Sequence, residues 1–145
     1  MSRKFREVKN IPGPTKIYIS SKAEAEDQQL VTQHNIKIIM EVSDKTIFTK
    51  VPNTTKFYVY MDDPLDLLAP NNPLYEAVEV FEVAYNLANK RNGNILIHCV
   101  HGSNRSSLVA ALFIHKKFNI PFVDCVKLTG VKDNKPWMQA FGLKW

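Results

Sequence analysis

The sequence has little cysteine and no long apolar run. Its 145 residues include only two cysteines, Cys99 and Cys125, which are too few for a disulfide-stabilised scaffold. Every apolar stretch is far shorter than the roughly 20 residues that a membrane-spanning helix needs, and no basic start followed by an apolar run marks a signal peptide. We therefore expect a soluble chain without a membrane segment in a reducing, intracellular setting, cytoplasmic or also nuclear.

Internal repeats, low-complexity segments and clustered His/Asp ligand sets are also absent from the sequence. A chain of 145 residues with 45% hydrophobic composition can bury one sizeable core. We therefore expect residues 1–145 to form a single domain. The missing ligand set predicts that the protein needs no metal and no cofactor.

Positive charge is concentrated in the second part of the chain. Residues 90–145 carry nine Lys or Arg against two acidic residues, whereas residues 1–89 carry ten against twelve. An anionic substrate would be drawn towards the basic part. A merely solvated basic surface is the alternative interpretation, and it stays open on charge alone.

Apolar patterns typical of strands and of helices alternate along the chain. Strands are predicted at residues 16–20, 36–42, 56–61 and 94–98, and helices at residues 22–33, 73–90, 105–117 and after Pro121. Ser21 and Glu24 have capping-box spacing, and Asn71-Asn72-Pro73 supplies an N-cap followed by a first-turn proline. The alternation predicts an α/β fold with a central, mostly parallel sheet flanked by helices on both faces.

The stretch IHCVHGSNRSS, residues 97–107, carries the candidate chemistry. A buried strand is predicted to end at His98, and a helix to open near Arg105. Backbone N–H groups of a turn and of a first helical turn point inwards and bind anions, which suits a phosphate. The predicted substrate-binding residues are those of this connection: Val100, His101, Gly102, Ser103, Asn104 and Arg105.

Three side chains of this stretch are candidate catalytic residues. Cys99 lies at the base of the cradle, where positive potential favours the nucleophilic thiolate. The planar fork of Arg105 can hold two phosphoryl oxygens, most strongly in the transition state. Ser106 can donate a hydrogen bond to the sulfur, which makes Cys99 a better leaving group. The competing interpretation of Cys99 is a buried, inert thiol, which we expect for Cys125.

With these residues in place, the sequence resembles the cysteine-based protein tyrosine phosphatases. Their signature is His-Cys, five residues, Arg, then Ser or Thr, and HCVHGSNRS matches it. The order of elements is similar to that of the dual-specificity branch, over about residues 11–139. The resemblance implies a protein tyrosine phosphatase-like fold. It also implies hydrolysis of phosphotyrosine, and of phosphoserine and phosphothreonine, in protein substrates through a phosphocysteine intermediate.

The resemblance further implies an aspartate upstream that protonates the leaving oxygen and then activates water. Asp62, in the segment YMDDP, aligns best with that general acid, and Asp63 is the alternative. A pair that only caps the following turn is the non-catalytic interpretation. His98, at the end of a buried strand, is predicted to orient the loop by hydrogen bonds and not to act as a base.

Two positions depart from the usual dual-specificity pattern. Glu41 stands where that family usually has an asparagine supporting the phosphate loop. Thr129 and Gly130 stand where an arginine usually precedes the last segment. We therefore expect the hydrogen-bond network around the loop to differ from the family pattern.

Two other functions remain as alternatives. His101 and Asn104 resemble the loop of metal-independent RNA 5′-triphosphatases, so an RNA 5′ end is an alternative partner. Against this, Ser106-Ser107 follows in positions where that group has Thr-Gly. The other alternative is a non-catalytic phosphate-binding module, although such proteins usually lose the Cys or the Arg. Neither the physiological target nor the oligomeric state is predicted.

Overall fold

The protein is built around a five-stranded sheet. The computed structural model describes residues 5–44, 51–61, 73–99 and 104–131, without the side chain of Asn104. The strands are β1 (Arg6–Glu7), β2 (Ile17–Ser21), β3 (Ile36–Ser43), β4 (Thr55–Tyr60) and β5 (Asn94–Cys99). The helices are α1 (Lys22–Ala25), α2 (Gln28–Gln33), α3 (Leu74–Lys90), α4 (Asn104–Phe118) and α5 (Phe122–Thr129).

The sheet has the strand order β1-β2-β5-β3-β4. Its four longer strands are parallel, and only β1 runs antiparallel to its neighbour β2. The structure therefore confirms the predicted mostly parallel α/β fold. Strand β5 lies in the middle, between β2 and β3, although it is the last of the described strands in sequence.

Side chains of the central strand alternate between two apolar layers. Ile95 and Ile97 of β5 pack into the larger layer, which α3, α4 and α5 cover. Leu96, between them, packs into the smaller layer with Ala25 of α1 and Val31 of α2. Burial on both faces explains the nearly continuous apolar sequence of β5, which is typical of a central parallel strand.

Aromatic rings fix α4 against α3. The ring centroids of Phe81 and Phe113 are 4.7 Å apart, and those of Tyr85 and Phe113 are 5.0 Å apart. Such tilted pairs stabilise packing by about 0.5–1.5 kcal/mol each beyond the burial of their surface. This packing holds the N-terminus of α4 at the end of β5.

Helix α3 is amphipathic. Its buried residues include Val78, Phe81 and Tyr85, while Glu76 and Glu79 are exposed.

Within the described ranges, no helix combines the length and the apolar character needed to cross a membrane.

The helix predicted over residues 22–33 is wrong in one respect, because the structure divides it into α1 and α2. The predicted capping box is confirmed: Glu24 accepts hydrogen bonds from the backbone N–H of Ser21 at 3.0 Å and from its hydroxyl at 2.8 Å. Asp27 then caps α2, where its carboxylate accepts two backbone N–H groups at 3.0 and 3.3 Å. An aspartate that satisfies a new first turn competes with continuation of the preceding helix.

The remaining differences from the sequence prediction are small. Strand β1 was not predicted, because a two-residue strand is too short to show periodicity. Helix α3 begins at Leu74, with Pro73 as its N-cap and not as its first residue. The residues predicted as its N-cap, Asn71 and Asn72, lie outside the described part. The other predicted elements agree with the structure to within about one residue.

The C-terminal ends of the parallel strands meet at one edge of the sheet. Ser21 at the end of β2 pairs with Cys99, and Ser43 at the end of β3 pairs with Tyr60. In open parallel sheets this edge is where ligands bind. The last residues of β3, β4 and β5 therefore lie at the same edge.

Candidate active site

Cys99 is the last residue of β5, and its side chain is fully buried. Its Sγ atom lies 3.6 Å from the Oγ atom of Ser106, in the first turns of α4. Either the thiol or the hydroxyl can donate a hydrogen bond to the other, so this contact allows one. The N-terminal end of a helix carries partial positive charge, so an anion bound next to Cys99 would be stabilised there.

Arg105, the residue predicted to hold the phosphoryl oxygens, is also buried, with 2% of its surface exposed. Its Nη1 donates a hydrogen bond to the carbonyl oxygen of Met61 at 2.7 Å. The same nitrogen lies 3.6 Å from Oδ1 of Asp44. Since Asp44 follows β3 and Met61 follows β4, the guanidinium connects the ends of these two strands to α4.

Asp44 is a site residue that the sequence pattern does not single out. Its carboxylate is 40% exposed, so its ion pair with Arg105 is screened by solvent. We attribute to this contact an orienting effect on the guanidinium. The available signal was the position of Asp44, which directly follows a buried parallel strand.

Glu41 and His98 are buried polar residues that pair across β3 and β5, and His98 directly precedes Cys99. Oε2 of Glu41 accepts a hydrogen bond from the hydroxyl of Ser43 at 2.7 Å, and its Oε1 lies 3.1 Å from Nζ of Lys56. Nε2 of His98 is 3.9 Å from the same Oε1, which is beyond hydrogen-bonding distance. The buried carboxylate of Glu41 is thus balanced by a lysine from the neighbouring strand.

His98 is a neutral imidazole at neutral pH. Burial lowers its pKa to about 4; Glu41 opposes this shift, and the charge of Lys56 adds to it. Its Nδ1 lies 3.4 Å from the carbonyl oxygen of Cys99. This geometry suits the predicted orienting role better than proton transfer, since the ring is buried and lies next to the main chain of Cys99.

Several predicted site residues cannot be placed, because they lie outside the described part of the chain. These are the candidate acids Asp62 and Asp63, the cradle residues Val100, His101, Gly102 and Ser103, and the side chain of Asn104. Their roles stay predictions. Among the residues that are described, no group of three His, Cys, Asp or Glu could hold a metal ion. The predicted independence from metals and cofactors likewise stays a prediction.

Known proteins share the sequence pattern of this chain. The model of the dual specificity phosphatase catalytic domain matches residues 17–141. A protein of Acanthamoeba polyphaga mimivirus named as a tyrosine-protein phosphatase is 34% identical over 65 residues, which cover 43% of this chain and 30% of that protein. A Dictyostelium discoideum protein named as a dual specificity protein phosphatase is 29% identical over 87 residues, which cover 59% of this chain and 21% of that protein.

The chain therefore spans less than a third of the length of these curated relatives. Its fold is similar to a crystal structure of a mouse dual specificity phosphatase in complex with zinc tungstate. The TM-score is 0.77 at 18% identity, over 98% of this chain and 87% of the mouse chain. Because the family model matches most of the sequence and the fold agrees with it, this chain belongs to the dual specificity phosphatase family, within the cysteine-based protein tyrosine phosphatases.

Proposed function

We propose that this chain hydrolyses phosphotyrosine, and also phosphoserine and phosphothreonine, in protein substrates through a phosphocysteine intermediate. The observation that carries the proposal is the 3.6 Å contact between Cys99 Sγ and Ser106 Oγ at the end of the central strand. A thiolate at this position is next to the N-terminus of α4, where a phosphate would also bind. Membership of the dual specificity phosphatase family supports a phosphoprotein substrate.

In the first step, Sγ of Cys99 attacks phosphorus in line with the departing side-chain oxygen. The S–P bond forms while the P–O bond to the substrate breaks. Asp62, the residue assigned by resemblance, donates its proton to that oxygen, so that a neutral hydroxyl leaves. The product of this step is a phosphocysteine.

In the second step, water attacks phosphorus and the S–P bond breaks. The carboxylate of Asp62 now accepts a proton from this water, and inorganic phosphate is released. The hydroxyl of Ser106 is close enough to donate a hydrogen bond to the departing thiolate. Stabilising that negative charge lowers the barrier of this step more than that of the first.

Arg105 binds the phosphoryl group during both steps. Its guanidinium has five N–H donors, and the described contacts to Met61 and Asp44 involve Nη1. These contacts fix the plane of the fork, and we assign its other donors to phosphoryl oxygens of the substrate. A guanidinium held in advance loses little entropy when the substrate binds.

Replacement of the nucleophile tests the proposal. We expect C99S to lose turnover of phosphotyrosine, phosphoserine and phosphothreonine peptides while it still binds tungstate. C125S is the matched control, because Cys125 is buried on α5 and accounts for the only other thiol. We expect this variant to keep its activity if it stays folded, as judged by circular dichroism. Hydrolysis by C99S at the wild-type rate would contradict the mechanism.

The same assay separates the alternative functions. Wild-type protein is compared on a phosphotyrosine peptide and on RNA with a 5′-triphosphate end, at equal concentration and salt. Faster phosphate release from the RNA would assign the chain to polyphosphate-end chemistry. Binding of tungstate without turnover of any substrate would assign it to the non-catalytic phosphate-binding modules.

A further inference from the structure

Arg6 connects the edge of the sheet to the helices next to the site. It lies on β1, where it pairs with Ile19 of β2. Its Nη2 donates hydrogen bonds to the hydroxyl of Ser107 at 2.8 Å and to the carbonyl oxygen of Thr129 at 2.6 Å. One guanidinium thus joins the second residue after Arg105 on α4 to the C-terminus of α5.

The end of α5 leaves room for this guanidinium. Gly130 caps α5 in the left-handed conformation with φ of 76°. A Cβ atom at this position would lie only 3.3 Å from Nη2 of Arg6.

Arg6 is coupled to Cys99 by charge, and it is linked to Cys99 through the first turns of α4. Burial lowers the pKa of Arg6, while the negative charges of Cys99 and Glu24 act in the opposite direction. Because electrostatic attraction is mutual, the positive charge of Arg6 also attracts a negative charge on Cys99. In addition, Arg6 holds Ser107, whose neighbour Ser106 contacts the sulfur.

We propose that Arg6 is a positioning residue of the active site: it stabilises the Cys99 thiolate by its charge and holds the first turns of α4 through Ser107. The proposal rests on the proposed role of Cys99 as nucleophile. Through Arg6, the two-residue edge strand β1 thus contributes to the positioning of the active site.

Other charged or titratable groups lie at the same end of the sheet. They are Arg105 of α4, Glu24 of α1, Glu41 of β3 and His98 of β5. Arg105 is directed towards Met61 and Asp44 at the ends of β4 and β3. Arg6 is held at α4 and α5, on the β2 side of Cys99. The two guanidinium groups are therefore held by different elements of the fold.

Substitution of Arg6 by glutamine and by lysine tests the proposal. R6Q removes the charge, whereas R6K keeps it with fewer donors. R91Q is the matched control, since Arg91 donates to Thr55 at the start of β4, at the opposite end of the sheet. For each variant, the rate of Cys99 alkylation by iodoacetamide is measured from pH 5 to 9 by mass spectrometry of the Cys99 peptide. kcat/KM for p-nitrophenyl phosphate is measured over the same range.

We expect R6Q to lower the alkylation rate of Cys99 at pH 6 about tenfold, which displaces the profile upwards by about one pH unit. R6K should recover most of this loss, and R91Q should match the wild type. A wild-type profile for folded R6Q would overturn the proposal. Equal losses in R6Q and R6K would also overturn it, since Arg6 would then act by packing alone.

Two further measurements keep the test decisive. If R6Q does not fold, S107A removes one anchor of the guanidinium but keeps its charge, and we expect a smaller displacement in the same direction. An unchanged S107A profile would then overturn the proposal.

Turnover by C99S would show that the proposed function has failed; the alkylation profile would still report how Arg6 acts on the thiol.

Discussion

Arg105 donates a hydrogen bond to the main-chain carbonyl of Met61 at 2.7 Å, and thereby ties α4 to the residue that precedes Asp62. Arg105, which is predicted to bind the phosphoryl group, is thus hydrogen-bonded to the sequence neighbour of the predicted acid. A displacement of the end of β4 would therefore also displace the guanidinium of Arg105. We therefore expect substitutions around this contact to change kcat more than binding, because the transition state depends most on the position of charged groups.

Asp44 is expected to orient the guanidinium of Arg105. We expect D44N to lower kcat about three- to tenfold with little change in KM, because Arg105 loses a charged partner 3.6 Å away while its bond to Met61 persists. Steady-state kinetics with p-nitrophenyl phosphate measures the effect. D124N is a matched control, since Asp124 is exposed in the first turn of α5, away from the end of β5. Equal kinetics for D44N and wild type would show that Met61 alone holds the guanidinium.

Ser106 is expected to act mainly in the second step. S106A removes a hydrogen bond to the departing thiolate, and bonds to charged groups contribute about 1.5–3 kcal/mol, equivalent to a roughly ten- to hundredfold slower step. Stopped-flow measurement should show a burst of p-nitrophenolate followed by slow turnover. Mass spectrometry should show the phosphorylated enzyme accumulating. A uniformly slow reaction without a burst would place Ser106 in the first step instead.

Asp62 is expected to matter most for substrates with poor leaving groups. D62A should slow hydrolysis of a phosphotyrosine peptide about 10²- to 10⁴-fold, the usual contribution of a general acid. It should affect an activated ester with a low leaving-group pKa much less. D63A is the matched control. A leaving-group dependence that appears only in D63A would reverse the assignment of the acid.

His98 should make folding stability depend on pH. Native His98 has a pKa of about 4, whereas unfolded histidine titrates near 6.5. Between these values the unfolded chain binds more protons, so this contribution to stability is complete above about pH 6.5 and is lost as the pH falls towards 4. We expect it to be on the order of 1–3 kcal/mol.

Urea unfolding at pH 5 and at pH 7.5 measures this contribution as a difference in the free energy of unfolding. In H98N, where no imidazole is present, the difference between the two pH values should be smaller than in the wild type. Identical pH dependence in the two proteins would mean that other groups are responsible.

The tertiary structure assembled parts of the site that the local sequence does not reveal. Asp27 divides a predicted helix in two because its side chain caps a new first turn, an interaction that competes with the helical pattern. Asp44, Met61 and Arg6 are ordinary in sequence, and they contact the predicted site only because β5 enters the sheet between β2 and β3.

The sequence by itself determined the alternating strands and helices, the mostly parallel sheet and the central motif with Cys99, Arg105 and Ser106. These features depend on the period of apolar residues and on short spacings, which are local properties of the chain. Only the tertiary structure decided which residues hold Arg105 and which second cation acts on Cys99. Those contacts depend on strand order and register, which join residues from Arg6 to Thr129 across the chain.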